Sequence, residues 1–160
     1  MTTYKIKDGV RTLEVRGELL AKSSSEALYK DRWIEFELFR TYENVYVVSR
    51  VGKSRIYHSK DCSVVGRNRL SAVDPRTLND RVYRECEQCS PSFMDMDGVY
   101  PEVPRHHAQV SQTAEGVVAY LTQEDQNGSE YLTKVARNLL EEASEIDDDI
   151  HDAYMTEVIF

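Results

Sequence analysis

Residues 32–41 read RWIEFELFRT, and this stretch decides the fold class. Ile34, Phe36 and Leu38 alternate with Glu35 and Glu37. Side chains along an extended chain point to opposite faces in turn, so this spacing builds one apolar and one charged face, as a half-buried strand requires. After the turn TYEN, the segment NVYVVSRV (44–51) reads as a second strand. Gly52-Lys53 then offers a reversal into SRIYH (54–58). Residues 32–58 are therefore expected to form a three-stranded antiparallel meander.

Working outward toward the N-terminus, YKIK-DG-VRTLEV is a hairpin, with Asp8-Gly9 as the two residues of a type I′ turn. The following GELLAKSSSEALYKD is less regular, and its Ser23-Ser24-Ser25 run suggests a loop or an edge crossing. Four to five strands in all can present one apolar face.

Toward the C-terminus the composition changes twice. Between Cys62 and Cys86 the chain is polar and basic, and Asp74-Pro75 supplies an N-cap and first helical position for a short helix over about 75–84. Residues 91–110 hold Pro91, Pro101, Pro104 and an Asp97-Gly98 turn, and read as a surface linker. Beyond them the apolar period becomes helical. Ala114, Val117, Val118 and Leu121 share one face, and Leu132, Val135, Ala136, Leu139, Leu140, Ala143 and Ile146 another. The Asp147-Asp148-Asp149 run suits a helix N-terminus, with Ile150, Tyr154 and Met155 packing beyond it. The expected fold is α+β: an antiparallel meander over 1–57, a zinc module over 58–90, a linker over 91–110, and an acidic helical region over 111–160 packed with the sheet.

The net charge of −8 is unevenly spread. Residues 1–90 carry 17 Lys+Arg against 13 Asp+Glu, and residues 91–160 carry 3 against 15. Overall acidity argues against a general polyanion binder but leaves room for a local basic face. No apolar run reaches membrane-spanning length, and the N-terminus MTTYKIKDGVRTLEV has no signal-peptide core. A cytoplasmic protein with no membrane partner is expected.

All three cysteines lie in one window. His58, Cys62, Cys86 and Cys89 spell H-x3-C-x23-C-x2-C, and one histidine with three thiolates is a standard tetrahedral set for structural Zn²⁺. An odd number of cysteines at this spacing fits a metal site better than a disulfide framework. His106 and His107 are alternative histidine ligands if the linker folds back. Tyr83-Arg84-Glu85-Cys86-Glu87-Gln88-Cys89, with the His58/Cys62 pair before it, resembles the small metal-binding module of Ada-type alkylation-repair proteins and their uncharacterised relatives. The resemblance covers residues 54–90. In that family four cysteines hold the zinc, and the first accepts a methyl group from a DNA phosphotriester. Here His58 occupies that position. An imidazole lacks the nucleophilic thiolate such transfer needs, so the resemblance implies a structural site without the repair chemistry.

Four candidate ligands leave no open position for a zinc-bound water, and no P-loop, H-E-x-x-H or nucleophile-elbow pattern occurs. The expected protein is not an enzyme. It is a zinc-stabilised accessory or adaptor with a protein partner, of a build that would suit a bacterial or phage defence complex. The ten tyrosines fit an interface role. The alternative is nucleic-acid binding through Lys53, Arg55, Lys60, Arg67, Arg69, Arg76, Arg81 and Arg84, a segment of net charge +5 from these eight against Asp61, Asp74 and Asp80.

Overall fold

The computed structural model describes residues 2–58, 62, 84–86 and 100–156. The chain divides into two compact units: Met1–Ser25, Ile34–Val51 and His106–Phe160 form the first, Glu26–Trp33 and Gly52–Arg105 the second. The fold class is α+β, as expected.

The first unit is built on a sheet of order β1-β2-β3-β4-β8, where β1 is Thr3–Asp8, β2 Arg11–Ser24, β3 Arg32–Thr41, β4 Tyr46–Ser54 and β8 Arg105–Ser111. Strand β2 is long because it serves two neighbours. Its first half pairs antiparallel with β1, from Asp8↔Arg11 to Thr3↔Arg16, and its second half with β3, from Gly17↔Thr41 to Ser24↔Glu35. The sheet curls until its edges meet: the Gly9 N–H donates to the His106 carbonyl at 2.8 Å, and the Ala108 N–H to Asp8 Oδ1 at 3.1 Å.

Curling gives the sheet two buried faces where the alternation of β3 predicted one. Ile6, Val15, Phe39 and Val47 fill the inside, with the Tyr4 ring tilted against Phe39 at 4.8 Å between centroids. Leu20, Ala21, Phe36, Leu38, Tyr46 and Val48 line the outside. A β-bulge sorts the residues of β2 between these cores. Leu19 pairs with Phe39 and Ala21 with Leu38, so Leu20 is an extra residue, and Ala21 turns outward with it.

Three helices cover the outer face: α1 (Ala114–Leu121), α2 (Lys134–Ser144) and α3 (Asp148–Met155). Thr113 and Thr133 cap the first two, each hydroxyl accepting the backbone N–H three residues on, and Asp147 caps the third. Ala114, Val117, Leu121, Val135, Ala136, Leu139, Leu140, Ala143 and Ile150 enter the outer core. Two expected members stay out: Ile146 is 60 % exposed because α2 ends at Ser144, and Met155, at the end of α3, is 64 % exposed. Between α1 and α2 the chain makes a small hairpin, β9 (Gln123–Glu124) with β10 (Glu130–Tyr131), turned at Gly128 with φ +79°.

Other expectations change at the level of register. Asp8 pairs with Arg11, so the first turn is Gly9-Val10, one residue later than expected. Gly9 has φ +60° and Val10 is not left-handed, which suits a turn with glycine at its first central position rather than type I′. Ser23 and Ser24 lie within β2, paired to β3, rather than in a loop. Gly52-Lys53 does not reverse the chain; β4 runs through both to Ser54, and the next strand belongs to another sheet. Residues 105–110 are strand β8 rather than linker. The helix expected over 75–84 lies outside the described residues.

Gly17 sits where β2 changes partners. A Cβ there would run into the Arg40 carbonyl oxygen and lie 2.7 Å from Thr41 Cα, both backbone atoms that cannot swing aside. Gly17→Ala is therefore expected to lower stability by about 1–3 kcal/mol, the usual cost of overpacking, measured as a shift in the urea midpoint at unchanged slope. An unchanged midpoint would mean that the two strands separate freely at this point.

Candidate metal centre

The second unit contains a three-stranded sheet of order β6-β5-β7: Arg84–Glu85, Ile56–His58 and Tyr100–Pro101. Strand β5, Ile-Tyr-His, is wholly buried, as a central strand should be. Strand β6 runs parallel to it, with Ile56 level with Arg84 and Tyr57 level with Glu85. One further step brings Cys86 level with His58, and the Cys86 N–H donates to the Tyr57 carbonyl at 2.9 Å. The parallel register thus carries a cysteine 28 positions away to the histidine.

His58, Cys62 and Cys86 are 1 %, 8 % and 8 % exposed, and their ligating atoms all lie within 4.8 Å of one another. Neither cysteine is in a disulfide. Ile56 packs with the two cysteines in a buried cluster. These three residues form a group that could hold a metal ion. His106 and His107 lie on β8 and are not part of it. Cys89 lies outside the described residues.

Among the described residues the imidazole is held on one side only. Its Nε2 is 2.9 Å from Glu102 Oε1, while Nδ1 is buried and has no hydrogen-bond partner among them. A buried polar atom left unmatched costs about 1–3 kcal/mol, and a metal ion beside two thiol sulfurs would satisfy it. Tetrahedral zinc bonds of about 2.0–2.3 Å would place the donors somewhat closer than the 4.8 Å limit, a small contraction. The donor set, one imidazole and two sulfurs, fits a borderline or soft ion and not magnesium or calcium.

Glu102 sits at the end of β7, where its backbone N–H donates to the Ile56 carbonyl at 3.0 Å. It is also gripped by Arg32, with Nε 3.1 Å from Oε2 and Nη2 2.5 Å from Oε1. Burial alone would raise its pKa, but hydrogen bonds from Arg32, His58 and Ser54 outweigh burial and hold the carboxyl below its ordinary range. The sequence gives no sign of this residue. Glu102 lies in a proline-flanked stretch that reads as linker, 44 positions from the histidine it meets.

The basic residues of the alternative reading are placed unevenly. Arg55 is 2 % exposed; its guanidinium stacks over Trp33 at 4.7 Å, with Nη2 3.3 Å from both Glu26 Oε1 and the Ala27 carbonyl. That is a packing role, with the aromatic face taking part of the charge. Lys53 lies near the end of β4 and Arg84 opens β6. Lys60, Arg67, Arg69, Arg76 and Arg81 lie outside the described residues. Among the described residues no helix is long and apolar enough to cross a membrane.

No protein-family model, curated protein or solved structure matches the chain.

Proposed function

We propose that this chain is a non-catalytic adaptor in which one structural Zn²⁺, held by His58, Cys62, Cys86 and Cys89, fixes residues 58–90 as a surface for a protein partner. The buried Nδ1 of His58 carries the reading: it has no hydrogen-bond partner among the described residues, on a histidine whose ligating atom lies within 4.8 Å of two cysteine sulfurs, so a ring nitrogen is available to a metal ion. Cys89 is the natural fourth ligand, since a Cys-x2-Cys knuckle offers two sulfurs from one turn. Four protein ligands close the coordination sphere, so the ion holds the chain and activates no water. The likeness of residues 54–90 to the Ada-type module supports the same ligand spacing, and the imidazole at its first position supports a structural site. Packing of Arg55 against Trp33 favours the adaptor reading over nucleic-acid contact, because it removes one cation from the basic segment.

Elemental analysis of the purified chain should find one zinc per molecule, reduced well below one by Cys86→Ser. Gentle affinity purification from the native host should then recover a protein partner with the parent chain and not with Cys86→Ser. Less than half an equivalent of zinc, indifferent to the substitution, would sink the site. A chain recovered alone but retained on DNA or RNA at about 50 mM salt would favour the nucleic-acid alternative instead.

A further inference from the structure

The metal group extends beyond its ligands. We infer that Glu102 is the outer carboxylate of the metal centre: it fixes the proton of His58 on Nε2, selects Nδ1 as the ligating atom, and is itself held by Arg32. This inference rests on the proposed metal site and says how that site is oriented.

The argument starts from the imidazole. A neutral ring has one N–H and one lone pair, and the hydrogen bond made by one nitrogen decides which atom carries which. A carboxylate accepts and does not donate, so Glu102 Oε1 at 2.9 Å from Nε2 requires the proton there. The lone pair is then on Nδ1, the buried atom with no hydrogen-bond partner among the described residues. Histidines that bind metals commonly donate their second nitrogen to a carboxylate in this way, which sets the ring orientation and raises its basicity.

The carboxylate is well supported. Glu102 directly follows the adjoining antiparallel strand β7, two positions beyond Tyr100, which is level with His58. Its side chain is 10 % exposed, and Arg32 meets both of its oxygens. Two hydrogen bonds from a planar guanidinium leave the carboxylate little rotation, so it presents one oxygen to the ring. Arg32, Glu102 and His58 thus form a chain of hydrogen bonds ending at the metal group, drawn from three separate parts of the sequence.

The test uses zinc itself and the full chain. Affinity is measured by competition with a chromogenic chelator for the parent chain, Glu102→Ala, Glu102→Gln and Arg32→Ala. Glu102→Ala is expected to weaken zinc about 10–100-fold, the usual effect of removing an outer-shell partner. Glu102→Gln keeps a carbonyl oxygen that can accept the Nε2 proton and is expected to recover much of the loss; Arg32→Ala should fall between Gln and the parent. Long-range proton–nitrogen NMR of ¹⁵N-histidine in the zinc-loaded parent should show a protonated Nε2 and a metal-bound Nδ1, and Glu102→Ala should lose the protected Nε2 proton. A merely structural glutamate would not move that signature. Zinc bound through Nε2, or an affinity unchanged in Glu102→Ala, would overturn the inference while leaving the metal site standing. A parent chain that takes up no zinc would overturn both.

Discussion

Asp147→Ala is expected to lower the stability of the first unit by about 2–4 kcal/mol, the combined cost of a lost helix cap and an unmatched buried hydroxyl. The side chain of Asp147 is 0 % exposed, and its two oxygens serve three elements. Oδ1 accepts the Ile150 N–H at 2.9 Å and so caps α3. The Tyr46 hydroxyl on β4 reaches both oxygens, at 3.1 and 3.2 Å, and Arg40 Nη1 on β3 lies 2.7 Å from Oδ2. The substitution removes a helix cap, worth about 1 kcal/mol, and leaves a buried tyrosine hydroxyl unmatched, at about 1–3 kcal/mol. Arg40 adds less, because it is 29 % exposed and keeps Glu18 at 2.6 Å. Set against a typical stability of about 5–15 kcal/mol, the loss would be visible in any denaturant titration. Tyr46 gives a second readout. Burial, followed by the Asp147 charge and hydrogen bond, pushes its pKa up to about 12. In Asp147→Asn the charge is gone while most of the burial stays, so the phenol should ionise at lower pH, followed by ultraviolet absorbance. A shift of the urea midpoint equivalent to less than about 1 kcal/mol would show that the network contributes no more than an ordinary cap.

Asp147 also marks what a linear reading can and cannot deliver. The Asp147-Asp148-Asp149 run was legible as a helix start because capping is local: the residue that needs the N–H bond and the residue that supplies it are three apart. The same locality made β3 and the apolar faces of α1 and α2 legible. The role of Asp147 as partner of Arg40 and Tyr46 was not, because those residues lie more than 100 positions away. Curling of the sheet was hidden for a related reason. It depends on a bulge at Leu20 and a close approach at Gly17, neither of which disturbs the alternation of β3. The three residues of the candidate metal group are legible by chemistry rather than by pattern of burial, since histidine and cysteine at these spacings have few other uses. Glu102 was missed because a carboxylate in a proline-flanked stretch has many. Strand β8 was missed with it: in RHHAQVS only Ala108 and Val110 alternate as apolar residues, and its burial pattern has no fully buried residue. Such a strand is recruited by its backbone, at the edge of a sheet already made.

Removal of the proposed zinc by a chelator is expected to abolish amide protection around the candidate metal group while the first unit keeps its own. The reason lies in where each unit hides apolar surface. Among the described residues the first has fifteen buried residues in its outer core and four in its inner one. In the second, the described apolar cluster is Ile56, Cys62 and Cys86, so two of its three members are proposed ligands. Burying them releases little free energy compared with binding the ion. Zinc sites in small domains contribute about 10–16 kcal/mol, and that contribution is folding free energy wherever the unfolded chain has no site of its own. Without the ion, His58 Nδ1 is again an unmatched buried atom, and the short strands β5, β6 and β7 have few hydrogen bonds to resist opening. Hydrogen exchange read by NMR separates the two units residue by residue. The Cys86 and Glu102 amides, bonded to Tyr57 and Ile56 carbonyls, should exchange freely after chelation and recover when zinc is restored. The His151 amide in α3, bonded to the Asp147 carbonyl, should hold its protection throughout. Cys86→Ser should reproduce the chelated pattern without a chelator. Protection at Cys86 and Glu102 that survives both treatments would show that the second unit stands on its own packing, and that the ion is a passenger in it.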